Sequence, residues 1–282
     1  MFEKKILLGV GITIAAKEEV LKYIIISLVK SAEKHYVVTP NPEILVMAHN
    51  SLDYKKCLNG AELALPDGIG VLLASKLMGK GLKERITGVD LMEDLCKEVA
   101  EKPITVGFLG AGPGVAEKTA ECLRKKYPGL KVGFVGEELK QGGIAEVARG
   151  PVRSVFPASA RSSLSSSNEL RAVGSPYASA TPNKQSVDIL FVAFGSPKQE
   201  LWISKNLENL PVKVVIGVGG AFDFISGNVK RAPLWIQKAG LEWLFRLIIQ
   251  PWRIKRQLSL IKFVFLVLQN FLKSNFAIAC LR

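Results

Sequence analysis

Residues 104–135 read ITVGFLG-AGPG-VAEKTAECLRKKY-PGL-KVGFV, and this stretch decides the fold. Ile104 to Leu109 is an apolar run of strand length, and Gly110-Ala-Gly-Pro-Gly114 is a glycine-rich turn. Val115 to Tyr127 has helical spacing, and Lys131 to Val135 returns to strand character. Strand, tight turn, helix and strand make a βαβ unit, whose two strands run parallel. The same alternation continues outward. Tyr36 to Val38 and Leu63 to Leu65 read as short strands, and Val187 to Phe194 and Val212 to Val218 as longer ones that end in glycine-containing turns. Ile6 to Val10 predicts an opening strand, while Lys17 to Ser31, Ile69 to Met78 and Gly88 to Ala100 predict helices. The expected class is α/β: a Rossmann-like, mostly parallel sheet flanked by helices. No internal repeat is visible.

The chain has 282 residues, enough for a full core, and a net charge of +13. From Ser226 onward ten Lys/Arg stand against the single acid Glu242, so +9 of that charge lies in the last fifth of the chain. Such a tail favours an anionic partner. Cys57, Cys96, Cys122 and Cys280 have no paired-motif spacing, which fits a reduced compartment. The first residues lack the apolar core and cleavage site of a signal peptide. The most apolar window, Phe263 to Leu268, is closed by Lys262, Gln269, Asn270 and Lys273 and falls short of the ~20 apolar residues of a membrane span. Residues 149–186 hold ten serines, four prolines and four arginines with one acid, Glu169, and no periodicity. By composition this is an irregular segment, read as an insertion, a disordered loop or a corrupted stretch of sequence.

Chemistry gathers in the turns that follow strands, where open α/β sheets bind ligands. In Thr39-Pro-Asn-Pro-Glu43, Asn41 can cap a helix and Pro42 suits its first position. In Leu65-Pro-Asp-Gly-Ile-Gly70, a lone carboxylate, Asp67, sits beside Gly68 and is the candidate for catalysis. Gly110 and Gly112 suggest a nucleotide or diphosphate contact. A dinucleotide fingerprint is incomplete there, because Val115 replaces its third glycine and Pro113 removes a donor, although Glu137 and Glu138 lie near the distance of a ribose contact. Phe194-Gly-Ser-Pro-Lys-Gln-Glu200 offers Lys198 and Gln199 as donors, and Gly217 to Gly227 offers Gly219 and Gly220 for close backbone approach, with Phe222 and Phe224 expected in the core. His35 and His49 stand in no catalytic or metal motif. No Walker sequence, G-x-S-x-G or Asp-x-Asp pair occurs, so a transferase acting on a nucleotide diphosphate has to neutralise its leaving group with cationic side chains and backbone N–H groups.

The tail supplies those cations in Arg246, Arg253 and Arg256, with Pro251 expected to kink the helix between them. Beyond it Ile254, Leu258, Ile261, Phe265, Leu268 and Leu272 form an apolar helical stripe, with Lys255, Lys262, Gln269 and Lys273 elsewhere. Together with Trp235, Trp243 and Trp252 this reads as an interfacial helix on an anionic bilayer; a buried helix completing the core or an oligomer interface stands beside it. The expected division is a core over residues 1–227 and a helical appendage over 228–282.

Six ordered motifs carry a resemblance: V-V-T-P-N-P-E-I, L-P-D-G-I-G-V, R-I-T-G-V-D-L, F-L-G-A-G-P-G-V-A, F-G-S-P-K-Q-E and G-V-G-G-A-F-D-F-I-S-G. In this order the chain resembles the WecG/TagA/CpsF glycosyltransferases over Lys5 to Val135 and Val187 to Leu272. The resemblance breaks across Glu137 to Ser186, where the family has a short aromatic-acidic turn and a helix. It implies an inverting, metal-independent and cofactor-free transfer of N-acetylmannosamine from its UDP donor to the 4-hydroxyl of GlcNAc on undecaprenyl diphosphate. Asp67 would be the general base. Thr39, Asn41 and Gln199 would line the pocket, and Arg246, Arg253 and Arg256 would reach over it. It also implies a cytoplasmic enzyme held peripherally on the inner face of the cell membrane. A related transferase using UDP-ManNAc-uronic acid or UDP-glucose shares nearly every motif, and a NAD-dependent oxidoreductase is the remote alternative. A nucleic-acid module would leave Asp67 and the glycine loops without a task. A homo-oligomer remains compatible with the apolar tail.

Overall fold

The computed structural model describes residues 2–79, 81–136 and 187–279. Glu137, Glu138, the serine-rich segment 149–186 and Cys280 lie outside the described residues. The chain opens with β1 (Lys4–Leu7) and β2 (Val10–Thr13), an antiparallel hairpin outside the main sheet. This corrects the expectation of one strand from Ile6 to Val10. Leu8 and Gly9 both take positive φ, 51° and 85°, the sign that a type I′ hairpin turn requires at both central positions, and the chain reverses there. The predicted helix over Lys17 to Ser31 is α1 (Lys17–Lys22) running into a π-helical stretch, Tyr23–Leu28.

Six parallel strands form the sheet, in the order β4-β3-β8-β7-β5-β6. They are β3 (His35–Val38), β4 (Leu63–Ala64), β5 (Thr105–Gly110), β6 (Lys131–Gly136), β7 (Val187–Ala193) and β8 (Val212–Gly217). The βαβ unit is β5, α6 (Val115–Lys126) and β6, as its sequence predicts. The central strands β5, β7 and β8 are buried on both faces, which is why they read as nearly continuous apolar runs rather than alternating ones.

One face packs on α1, α5 (Gly88–Val99) and α6 in a core that includes Phe108, Phe191 and Phe222. Phe108 stacks on Phe191 at 5.7 Å and meets Phe222 edge-on at 5.8 Å. The other face packs on α2 (Pro42–Asn50), α3 (Leu52–Asn59) and α7 (Lys198–Asn206), with Trp202 buried among them. Burying each such side chain contributes about 1.5–3 kcal/mol. α4 (Ile69–Leu77) and α8 (Ala221–Ile225) leave the carboxyl ends of β4 and β8.

The C-terminal part adds α9 (Leu234–Lys238), α10 (Glu242–Ile249) and the long α11 (Ile254–Ala279). A single 3₁₀ turn, Pro251–Arg253, lies where proline was expected to interrupt the rod. α11 has two apolar faces. Phe263, Leu266 and Val267 are buried in the same core as α2 and α7, so part of the helix does complete the core. The predicted stripe from Ile254 to Leu272 is exposed, Ile261 by 69% and Phe265 by 64%, and two of its members, Ile261 and Leu268, also line the groove against α4. Among the described residues no helix is long and apolar enough to cross a membrane.

Candidate active site

Because every strand of the sheet points the same way, the loops after β3, β4, β5, β7 and β8 meet along one edge. The β3 loop is fixed first. Thr39 is buried and its hydroxyl donates to the Gly217 carbonyl at 3.3 Å, tying β3 to β8. Asn41 caps α2, its Oδ1 accepting the Ile44 N–H at 3.0 Å, with Pro42 at the first helical position. The β4 loop is stitched on both sides: Asp67 donates its N–H to the Pro40 carbonyl at 2.9 Å, and Ile86 donates to the Pro66 carbonyl at 2.9 Å. Gly68, at φ 93°, then turns the chain into α4, a conformation that a side chain would strain.

Two cavities meet here. One, of about 340 Å³, has mostly polar walls and runs past Thr39, Gly112, Gln199, Gly219 and Gly220. The other, of about 660 Å³, is mostly apolar and runs between α4 and α11. Asn41, Asp67, Arg246, Arg253 and Arg256 line both. The carboxylate and the cations therefore stand where a polar ligand and an apolar one would touch.

Asp67 keeps partial solvent access through these cavities, but burial pushes its carboxyl up to about 7. Arg85 pulls it back down, the neighbouring charges of Glu242 and Asp90 raise it again, and Arg231 opposes them. These four groups form a chain of ion pairs: Arg231 to Asp90 at 2.7 Å, Arg231 to Glu242 at 3.3 Å and Arg85 to Glu242 at 4.0 Å. The chain joins α5 and the Arg85 loop to the start of the C-terminal helices. A carboxylate poised near neutrality in a cleft suits a general base.

The three tail arginines converge opposite it. Arg246 lies with its guanidinium 4.7 Å from the centre of the Phe224 ring, and so close to Gly220 that an added Cβ there would sit 2.9 Å from its Nη2. Phe224 is half-buried, packing against the core as the sequence suggested while also offering its ring to a cation at the rim, and Phe222 is fully buried. Arg256 donates from Nε to Glu43 at 2.8 Å and fastens α11 to the start of α2. Arg253 is pushed down to about 10, first by burial and then by the charges of Arg246 and Arg256. Arg246 is lowered as well, chiefly by burial. Among the described residues neither Arg246 nor Arg253 forms an ion pair. Crowded, partly desolvated guanidinium groups of this kind favour an added anion.

Gln199 is buried and both ends of its amide are engaged: Nε2 donates to Glu200 at 2.7 Å and Oε1 accepts the Gly219 N–H at 3.0 Å. Glu200 also accepts from Ser196 at 2.6 Å and from Tyr54 at 3.0 Å. Gln199 therefore shapes the Gly219–Gly220 turn from behind while forming part of the polar wall. Gly110 and Lys198 line neither cavity. Gly110, at φ 107°, lets the Phe194 ring close against it, since a Cβ would stand 2.7 Å from that ring. Arg85, Asp90, Arg231, Glu242 and Glu43 received no role from the sequence. The signal was there in part: Arg85 and Asp90 lie inside one of the six motifs, and Glu43 inside another.

The Glycosyl transferase WecG/TagA/CpsF family matches residues 5–153 and 175–277. A protein of Bacillus spizizenii (strain ATCC 23059 / NRRL B-14472 / W23) named N-acetylglucosaminyldiphosphoundecaprenol N-acetyl-beta-D-mannosaminyltransferase is 37% identical over 235 residues, 83% of this chain and 79% of that protein. A protein of the same name from Bacillus subtilis (strain 168) is 34% identical over 252 residues, 86% of each. With a cleft that joins a polar and an apolar cavity at one carboxylate and three arginines, and with a match across most of its length, the chain belongs to the WecG/TagA/CpsF glycosyltransferase family.

Proposed function

We propose that this enzyme transfers N-acetylmannosamine from UDP-ManNAc to the 4-hydroxyl of GlcNAc-diphosphoundecaprenol, with inversion at the anomeric carbon. The observation that carries the reading is the junction at Asp67: a polar cavity for the nucleotide sugar on one side and an apolar one on the other, with three guanidinium groups alongside. Asp67 removes the proton of the acceptor hydroxyl as its oxygen attacks the anomeric carbon. The bond from that carbon to the diphosphate breaks, and UDP leaves with the electron pair. Arg246, Arg253 and Arg256 neutralise the charge that develops on it, which removes the need for a bound metal. Thr39, Asn41 and Gly112 wall the donor cavity, and Gln199 holds the Gly219–Gly220 turn against the diphosphate.

The reading extends to an anionic membrane surface. Trp235 and Trp252 are about 70% exposed on a chain end rich in Lys and Arg, beside the outward stripe of α11. The core over residues 1–227 then holds the base, and the appendage brings cations and membrane together on the cytoplasmic side. Incubation with UDP-ManNAc and a short-chain GlcNAc-diphosphate lipid, read by mass spectrometry, gives the disaccharide lipid plus UDP. A donor panel with UDP-glucose and UDP-ManNAc-uronic acid identifies the sugar, and absence of transfer from all three overturns the reading. Cosedimentation with vesicles containing phosphatidylglycerol is lost when Trp235 and Trp252 are both changed to Ser; unaltered binding overturns the membrane contact.

A further inference from the structure

The apolar cavity has a definite shape. On α4, Leu73 and Leu77 are one helical turn apart and are 60% and 43% exposed. On α11, Leu260, Val264 and Leu268 repeat at the same spacing, with Val264 55% and Leu268 46% exposed. All five line the cavity, together with Ala74. Two leucine-rich stripes thus form the walls of a trench whose inner end is Asp67 and the arginines. Isolated exposed leucines need no explanation, but opposed stripes leading away from a charged centre do.

The reaction read above uses an acceptor of matching polarity: a sugar, then a diphosphate, then a polyprenyl chain. We infer that the trench binds the first isoprene units of that chain, so that the enzyme recognises the lipid directly rather than only meeting it at a membrane. This rests on the proposed acceptor. The match is one of charge and length. The arginines line both cavities, so the groups that face UDP on the polar side also form the cationic end of the trench, where the acceptor's own diphosphate would lie, and the apolar end follows. Eight residues of helix span ~12 Å. An extended isoprene unit, with four C–C bonds of ~1.5 Å, spans ~5 Å, so the trench takes about two to three units. Its volume of about 660 Å³ lies in the range of ordinary ligand pockets, which supply a few polar groups and a mostly apolar wall. The remaining isoprene units would leave toward the outward stripe of α11.

The test uses the full chain with UDP-ManNAc and GlcNAc-diphosphate acceptors bearing one or three isoprene units, both kept below their aggregation threshold so that micelles play no part. For the wild type, kcat/KM rises at least tenfold from one unit to three. Leu73→Glu and Val264→Glu, both at exposed positions, flatten that rise, whereas Ile26→Glu, exposed on the opposite face of the sheet, keeps it. A diazirine on the third isoprene unit labels peptides from α4 and α11. Equal use of both acceptors by the wild type, unaltered preference in both trench variants, or labelling confined to other elements overturns the trench. Sedimentation reads the competing occupant: a dimer that Leu73→Glu dissolves while tail preference stays intact assigns the trench to a second copy. Failure of the wild type with every acceptor instead overturns the transferase reading.

Discussion

The two halves of the site are built by opposite means. Asp67 sits on the loop after the edge strand β4, tied by backbone hydrogen bonds to the loops on either side, above β3 and β4, whose residues are nearly all buried. The arginines sit on the C-terminal helices: α9 and α10 bury no residue at all, and α11 docks on the core through Phe263, Leu266 and Val267, with the Arg256–Glu43 pair fastening its first turn. Surface pairs of that kind contribute about 0–1 kcal/mol each, whereas a buried sheet strand forms part of the cooperative core. The base is therefore fixed by folding, and the cations are fixed by docking. A scaffold of this type can hold the carboxylate ready while the tail closes over a charged ligand and opens to release it.

That contrast can be broken from either side. Asp67→Asn keeps the shape of the loop and removes the base, so transfer falls by about 10³-fold or more while UDP binding, measured by calorimetry, stays within a few-fold of wild type. Turnover near normal would remove Asp67 from the chemistry. Arg246→Ala takes away one guanidinium facing the diphosphate and lowers kcat by about 10²-fold in the same assay, with no change in melting temperature, since α10 contributes little to the core. An unfolded Arg246→Ala protein would show that the tail is structural. Glu43→Gln loosens the hold on Arg256 and leaves all three cations in the chain, so kcat/KM falls only about fivefold.

The smallest effect concerns stability. The Asp67 carboxyl is raised in the folded protein to about 7, so between about pH 4 and 7 the native state binds more protons than the unfolded chain. Stability therefore falls as pH rises through that window and levels off above it. Asp67→Asn abolishes this dependence. At pH 8 it gains about 1–3 kcal/mol, a rise of a few degrees in melting temperature, and at pH 4 it gains nothing. An equal shift at both pH values would mean that the carboxylate is not strained by its site.

The sheet was legible because its signals are local. A strand, a glycine turn and a helix stand in direct succession from Ile104 to Val135, and the remaining parallel strands are apolar runs bounded by turns. The β1–β2 hairpin was missed because Leu8, an unusual residue at positive φ, hides the turn. Asp67 was legible as a lone acid in a turn, with Gly68 and Gly70 just after it. Its ion-pair neighbours were not, since Arg231 and Glu242 reach it from more than 160 positions away, and only the folded chain sets them beside Asp90 and Arg85. The two apolar faces of α11 were likewise half visible: periodicity reveals the stripe from Ile254 to Leu272, but not that Phe263, Leu266 and Val267 dock on the core behind it.

The claim on which the account turns is that the fold holds Asp67 half-ready to accept a proton. Carbon-13 NMR of protein labelled at the aspartate carboxyl carbons, titrated from pH 4 to 9 beside Asp67→Asn to assign the resonance, reads it directly. A midpoint near 7 that disappears in the variant is the result expected. A midpoint near 4, the value of an ordinary exposed aspartate, would contradict it.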